Sequence, residues 1–146
     1  MPVACGASRG VRVTGLATLR DLCLDANDPA RVGAFWGAVL GREPADAGQG
    51  DGTTPDVVLR ENPASPGPTI WVNGVPEPKQ GKVRLHLDVD LRPGEGVEEL
   101  VALGASVLRE PGEQPWWVLA DPEGHEFCAF PPETVATNDE DAEVAV

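Results

Sequence analysis

Apolar and polar residues alternate along residues 19–26, which is the period of a strand with one buried side. The apolar side carries Leu22, Leu24 and Ala26, and the polar side carries Asp21, Cys23 and Asp25. Since neighbouring side chains of a strand point to opposite faces, the pattern predicts a half-buried strand with an unusually acidic outer face.

The next segment changes to a helical period. Asn27 or Asp28 can cap a helix whose first turn accepts Pro29, and Gly41 is placed to end it. Its apolar residues recur three and four positions apart at Val32, Phe35, Trp36, Val39 and Leu40. The sequence therefore predicts an amphipathic helix packed on a sheet, with Trp36 in the core. Two extended runs follow, from Val57 and from Thr69.

The same order of patterns returns in the second half of the chain. Leu22, Leu24 and Leu40-Gly41 lie 63 positions before Leu85, Leu87 and Leu103-Gly104. A strand over 83–91 buries Leu85, Leu87 and Val89 and exposes Arg84, His86, Asp88 and Asp90. A short helix follows with Val97, Leu100, Val101 and Leu103 as its apolar side, and then three strands. The repeat predicts an α+β fold of two βαβββ modules.

Composition limits the partners. The chain of 146 residues has a formal charge of −13 and no run of Lys or Arg, so we expect neither nucleic acid nor an anionic membrane as a partner. It lacks an apolar stretch of membrane-spanning length and an apolar signal-peptide run, which favours a cytoplasmic protein. The number of cysteines is odd and none are in CxxC spacing, so we expect free thiols at Cys5, Cys23 and Cys128.

The ends of the chain differ from the body. Residues 1–18 are predicted to form a flexible segment, and residues 132–146, with five acids and no base, an acidic disordered tail. The folded domain is therefore predicted over 19–131, with modules at 19–76 and 83–131.

Three segments carry a resemblance to a known family. They read LCLDANDPARVGAFWGAVLG, VPEPKQGKVRLHLDVD and WWVLADPEGHEFCAF. In this order and spacing they resemble the bacterial glyoxalase-like branch of the vicinal oxygen chelate superfamily. The resemblance implies two modules that form an open barrel with helices on the convex side, a concave cavity for a small molecule, and a homodimer.

The polar strand faces are predicted to line this cavity, because several ionisable groups cannot be buried without partners. We expect the following residues to bind a ligand there: Asp21, Asp25, Trp71, Asn73, Arg84 and Trp117. His86 is predicted as an acid/base group, oriented by Asp88 and helped by Glu126. The alternative for His86 is a half-buried histidine paired with a carboxylate. His125, after the DPEG turn, is expected to be exposed.

A metal site follows only from the resemblance, which places candidate ligands at His86, Cys128 and Asp21. This set departs from the family's His/Glu pattern. A divalent metal is chemically compatible with it, but a metal-free cavity is favoured, and Cys128 is more typical of a small buried apolar residue. The cofactor is therefore unassigned.

Two functions remain open. One is an enzyme acting on a small metabolite, a lyase or isomerase. The other is a protein of the bleomycin-resistance type, which sequesters a cationic small molecule without catalysis. The acidic polar face suits the second, and the His86 environment suits the first.

Overall fold

The computed structural model describes residues 15–50 and 54–133. The predicted acidic tail and the predicted flexible N-terminal segment therefore lie mostly outside the described residues.

The first module contains five elements in the predicted order of strand, helix and strands. They are β1 (Asp21–Ala26), α1 (Pro29–Leu40), β2 (Pro44–Asp46), β3 (Val57–Leu59) and β4 (Thr69–Gly74). The sheet has the order β1-β4-β3-β2, with β1 parallel to β4 and the other pairs antiparallel. Strand β2 was not predicted, because its three residues are all exposed and leave no hydrophobic pattern.

The second module repeats this topology. Its elements are β5 (Asp88–Asp90), α2 (Val97–Ala102), β6 (Ser106–Arg109), β7 (Trp117–Ala120) and β8 (Glu126–Phe130). The sheet order β5-β8-β7-β6 matches that of the first module strand for strand. The predicted α+β fold of two βαβββ modules is thus confirmed, and over residues 15–50 and 54–133 neither sheet closes into a barrel.

Helix α1 begins and ends where the sequence predicts. The Asp28 side chain accepts a hydrogen bond from the backbone N–H of Arg31 at 3.0 Å, and Pro29 stands in the first turn. Gly41 ends the helix with a φ of 68°, a left-handed conformation that favours glycine. Trp36 is buried, as predicted.

One core serves both modules. Phe35 and Trp36 of α1 pack on the apolar face of β4 and also contact Phe127 of β8, with ring centroids 5.9 and 5.0 Å from that of Phe127. Burying aromatic side chains is among the largest contributions to core stability, so the contact ties the modules together.

The first strand of the second module is shorter than predicted. Only Asp88–Asp90 pair with β8, and Leu85 is 74% exposed rather than facing a helix. The backbone N–H of Val83 is bound by the Glu126 carboxylate at 3.1 Å instead of by a neighbouring strand. Residues before Asp88 therefore serve as a connection, and side-chain alternation there does not mark a strand.

Helix α2 also buries less than predicted. Val97 and Leu100 belong to the core, whereas Val101 and Leu103 are about half exposed. A helix of six residues makes fewer than two turns, so only the residues on one side of it can contact the sheet.

Candidate functional site

Three side chains with metal-ligating or proton-transferring atoms converge on the polar face of the second sheet. Asp88 on β5 is the register partner of Cys128 on β8, and His86 precedes Asp88 by two positions. One donor atom from each residue lies within 4.8 Å of the other two. The Nδ1 atom of His86 is 3.7 Å from Oδ1 of Asp88, and both side chains are exposed. His86 and Asp88 are therefore neighbours on the exposed surface, at a distance longer than a hydrogen bond.

Burial and the neighbouring Asp88 keep the Cys128 thiol protonated. Partial burial raises the pKa of Cys128, and the negative charge and hydrogen-bond acceptor of Asp88 raise it further, more than Arg109 and Lys82 lower it. Arg109 lies at the same level of the sheet, because Asp88 pairs with Cys128, Cys128 with Val118, and Val118 with Arg109 across neighbouring strands. Cys128 is thus a thiol rather than a ready nucleophile.

Glu126 occupies the same face of β8 but is bound to the connection between the modules. Its carboxylate accepts hydrogen bonds from the backbone N–H of Val83 at 3.1 Å and from Nζ of Lys79 at 3.3 Å. The bond from Val83 is the main cause of a lowered pKa of Glu126, with Lys79 adding to it. These contacts fasten residues 79–83 to the start of β8.

The predicted acidic groups of the first sheet form pairs of their own. The indole N–H of Trp71 donates to Oδ2 of Asp21 at 3.2 Å, and the side-chain amide of Asn73 lies 3.5 Å from Oδ1 of Asp25. The guanidinium of Arg60 lies over the Trp71 ring at 6.0 Å from its centroid. This face therefore combines carboxylates with an aromatic surface that already contacts a cation.

The predicted site residues are divided between the two sheets. Asp21, Asp25, Trp71 and Asn73 lie on the first sheet, and His86, Asp88, Glu126 and Cys128 on or beside the second. Asp21 is outside the cluster of His86, Asp88 and Cys128, so the predicted metal-ligand set is not brought together within the described residues.

Two predicted ligand-binding residues lie elsewhere. Arg84 is exposed in the connection and, within the described ranges, its side chain makes no hydrogen bond or ion pair. Trp117 packs against the core instead of facing the polar side, because it pairs with the buried Ala129. Its neighbour Trp116 lies beside Phe130, with ring centroids 5.2 Å apart. Of the two adjacent tryptophans, Trp117 is therefore the core residue.

His125 was expected to be exposed, and this is wrong. Its side chain is 12% exposed and its Nδ1 atom is 2.9 Å from both oxygens of Asp121, whose own side chain is fully buried. Asp121 also accepts from the indole N–H of Trp36 at 3.0 Å. The motif DPEGH marks a turn, but the burial of its histidine depends on the other module.

A groove lies between the C-terminal end of α1 and the free edge of β5. Its volume is about 670 Å³, within the range of small-molecule sites. Its apolar lining comes from α1, β5 and α2, for example Leu40, Val89 and Leu100, and Asp88 also lines it. The groove therefore shares a carboxylate with the donor cluster.

The donor set of the cluster fits a borderline divalent metal. An imidazole nitrogen, a carboxylate oxygen and a sulfur are ligands that Zn²⁺ accepts, and three protein ligands leave a position for water or substrate. The ion would be held by His86, Asp88 and Cys128. Hard ions such as Mg²⁺ fit less well, because they prefer oxygen ligands only.

Comparison with known proteins places the fold. The family model described as "Glyoxalase-like domain" matches residues 21–130, which include both modules. The chain belongs to the glyoxalase-like domain family. It is therefore a member of the vicinal oxygen chelate superfamily, as the three sequence segments indicated. No curated protein matches the sequence.

Solved structures resemble about four fifths of the glyoxalase-like chain. The fosfomycin resistance protein FosX from Mesorhizobium loti superposes with a TM-score of 0.60 at 12% identity over 80% of this chain and 92% of that one. A glyoxalase/bleomycin resistance protein/dioxygenase family enzyme from Burkholderia phytofirmans PsJN gives 0.57 at 22% identity over 79% and 98%. A variant of FosX from Listeria monocytogenes, complexed with Mn(II) and 1S,2S-dihydroxypropylphosphonic acid, gives 0.58 at 16% identity over 80% and 90%. At these identities the similarity shows the fold.

Neither helix in the described part of the chain has the length and apolar character needed to cross a membrane.

Proposed function

We propose that this glyoxalase-like protein binds a small organic metabolite beside His86, Asp88 and Cys128 and acts on it as a lyase or isomerase. The observation that carries the proposal is the convergence of these three side chains within 4.8 Å on the second sheet. An imidazole, a carboxylate and a thiol at this separation form a candidate acid/base and metal-binding centre.

The groove supports a small organic ligand. At about 670 Å³ it suits a metabolite-sized molecule, and its lining combines apolar side chains with charged ones such as Asp88, Asp90 and Arg92. Asp88 lines the groove and belongs to the cluster, so a molecule in the groove would lie against this carboxylate, although His86 and Cys128 themselves do not line the groove.

His86 is the group best suited to move a proton. An imidazole can both accept and donate a proton, and Nδ1 of His86 lies 3.7 Å from a carboxylate oxygen of Asp88. Glu126 is less free to do so, since Lys79 and Val83 bind its oxygens. We therefore assign Glu126 a supporting role, in which it holds the connection of residues 79–83 near the site.

A divalent metal is part of this proposal. When bound by His86, Asp88 and Cys128 it would supply a Lewis acid that polarises a substrate oxygen. Binding requires the Cys128 thiol to lose its proton, so the affinity for the metal should rise with pH over the neutral range.

Titration with Zn²⁺ alone tests the centre. We expect calorimetry to show one site per chain with proton release, and a higher melting temperature. His86→Ala and Cys128→Ser should each abolish both effects. Cys23→Ser is the matched control, since Cys23 is an exposed thiol on the polar face of β1 and should leave Zn²⁺ binding unchanged. Equal binding by Cys128→Ser and the parent protein would remove the proposed centre.

The second candidate function, sequestration of a cationic molecule, is favoured by a different observation. Trp71 is paired with Asp21 and carries the Arg60 guanidinium near its ring, an arrangement that binds organic cations elsewhere. Binding of a bleomycin-type cationic antibiotic, measured by fluorescence of the tryptophans, should weaken in Asp21→Asn and Asp25→Asn. Asp90→Asn, on the second sheet, is the control. No change in fluorescence with any cationic compound would count against this function.

The predicted homodimer remains a proposal. Strand β6 is exposed at all four residues, and Leu108 within it is 55% exposed, so this edge has apolar surface that a second copy would cover. Light scattering of the eluted protein should give twice the mass of 15.3 kDa, and Leu108→Lys should shift it toward the monomer. A monomer at high protein concentration would contradict the proposal.

A further inference from the structure

The turn between β7 and β8 is joined to the first module through the ring of His125. On one side Nδ1 faces the carboxylate of Asp121, with both oxygens at 2.9 Å. On the other side Nε2 lies 2.9 Å from the backbone carbonyl oxygen of Asp25, near the end of β1. The ring therefore bridges two segments that are 100 residues apart in the sequence.

Both partners of the ring accept hydrogen bonds. A carbonyl oxygen never donates, and an ionised carboxylate has no proton to donate. Asp121 also accepts from the indole N–H of Trp36 and from the backbone N–H groups of Glu123 and His125. Three further donors favour the ionised form of this buried carboxylate. A neutral imidazole has a single N–H and can satisfy only one of the two contacts, whereas an imidazolium satisfies both.

We propose that His125 is an imidazolium in the folded protein at neutral pH, and that this nearly buried cation is a pH-sensitive link between the two modules. The link is separate from the proposed function, because none of its contacts includes His86, Asp88 or Cys128.

The charges around the ring support the protonated form. Two anions lie beside the ring: Asp121 contacts it directly, and Glu123 lies in the same turn. Two cations also lie near this turn, because Arg31 of α1 donates to the carbonyl of Pro122 and the Lys79 side chain lies beside Gly124. The hydrogen bond to Asp121 is the largest cause of a raised pKa of His125. It acts together with the charge of Asp121 and the Asp25 carbonyl against the effect of burial, and Glu123 adds to it.

The sign of the pH dependence follows from this shift. A proton held more tightly in the folded state stabilises the fold below the ordinary histidine pKa of about 6.5. This stabilisation is lost as the pH rises through the raised pKa of the folded state. Above that pH, the bond to Asp25 or the bond to Asp121 must be given up, so the two modules are held less firmly.

The NMR spectrum of the full chain tests the charge state directly. The protein has two histidines, so His86→Gln assigns both imidazoles. We expect the two ring nitrogens of His125 to be protonated at about pH 7, and its titration midpoint to lie above the ordinary value of about 6.5. The backbone amide of Asn27, which donates to Glu123 across the module boundary, should shift with the same midpoint. A neutral His125 tautomer at pH 7 would overturn the proposal.

Urea unfolding from about pH 6 to about pH 8, below the ordinary pKa of the cysteines, tests the link. The parent protein should lose stability as the pH rises, His86→Gln should show the same slope, and His125→Gln should lose the slope. In the NMR titration, Asp121→Asn should lower the titration midpoint of His125 toward its ordinary value. If His125→Gln does not fold, the NMR titration of the parent protein and of Asp121→Asn decides the question. An unchanged slope in folded His125→Gln would refute the link.

Discussion

Trp36 and Phe127 come from different modules, and their rings meet edge to face with centroids 5.0 Å apart. Trp36 also donates its indole N–H to Asp121, beside the His125 link. The same side chain thus takes part in the apolar core and in the polar contact between the modules. This arrangement leads us to expect that the two modules unfold together.

Replacing Phe127 with alanine should destabilise the whole domain. The side chain is fully buried and packs on both Phe35 and Trp36, so its loss leaves a cavity between the modules. We expect the free energy of unfolding to fall by about 3–5 kcal/mol in urea denaturation. The control Leu85→Ala, at a position that is 74% exposed, should change it by about 0.5 kcal/mol or less. Two separate transitions in the parent protein would contradict a shared core.

Glu123 contributes a second contact across the modules. Its two oxygens accept from the backbone N–H groups of Asn27 and Asp28 at 2.6 and 2.7 Å, just before α1. Glu123→Ala leaves these donors without their partner and should reduce the free energy of unfolding by about 1–3 kcal/mol. Glu113→Ala, at an exposed position, is the matched control and should have little effect. Equal stability of the two variants would show that water replaces the carboxylate at no cost.

Arg42 is a buried cation held by neutral oxygens. It donates to the hydroxyl of Ser65 and to the carbonyls of Leu59, Pro66 and Pro68, at 2.7–3.4 Å, which fastens the β3–β4 connection to the end of α1. Arg42→Met leaves buried carbonyls unsatisfied and should lower the free energy of unfolding by about 1–3 kcal/mol. Arg84→Met, at an exposed arginine, should be close to neutral. A neutral Arg42→Met would mean that the connection is stable without the guanidinium.

The reactivity of Cys128 should report on Asp88. Because burial and Asp88 raise the pKa of the thiol, its alkylation by iodoacetamide should be slow at pH 7. The rate should continue to rise with pH at values where the alkylation rate of an ordinary cysteine has already levelled off. We would measure it in a Cys5→Ser, Cys23→Ser background. Asp88→Asn should lower the pKa of Cys128 and speed the reaction at a fixed pH. Asp90→Asn removes the same charge from a position that pairs with Phe130, and should have a smaller effect.

Local patterns were enough to predict much of this fold. Helix α1 carries its cap, its apolar stripe and its glycine stop in consecutive residues, and β1 carries strict alternation, so both were predicted close to their observed bounds. The repeat of these patterns predicted two βαβββ modules, and the fold confirms them. Strand β2 and the short β5 were not predicted, because their bounds depend on which backbone groups find partners in other segments.

The site divides in the same way. The sequence by itself determined which residue types lie on the polar faces, since alternation within a strand needs no knowledge of other segments. Alternation over the predicted strand thus made His86 and Asp88 candidates, and the family resemblance added Cys128. Only the tertiary structure decided that these three converge, that Asp21 lies apart from them, that Trp117 belongs to the core, and that His125 is enclosed. The physical reason is that burial and pKa shifts depend on contacts between residues far apart in the chain, within one module for His86, Asp88 and Cys128 and between the two modules for His125.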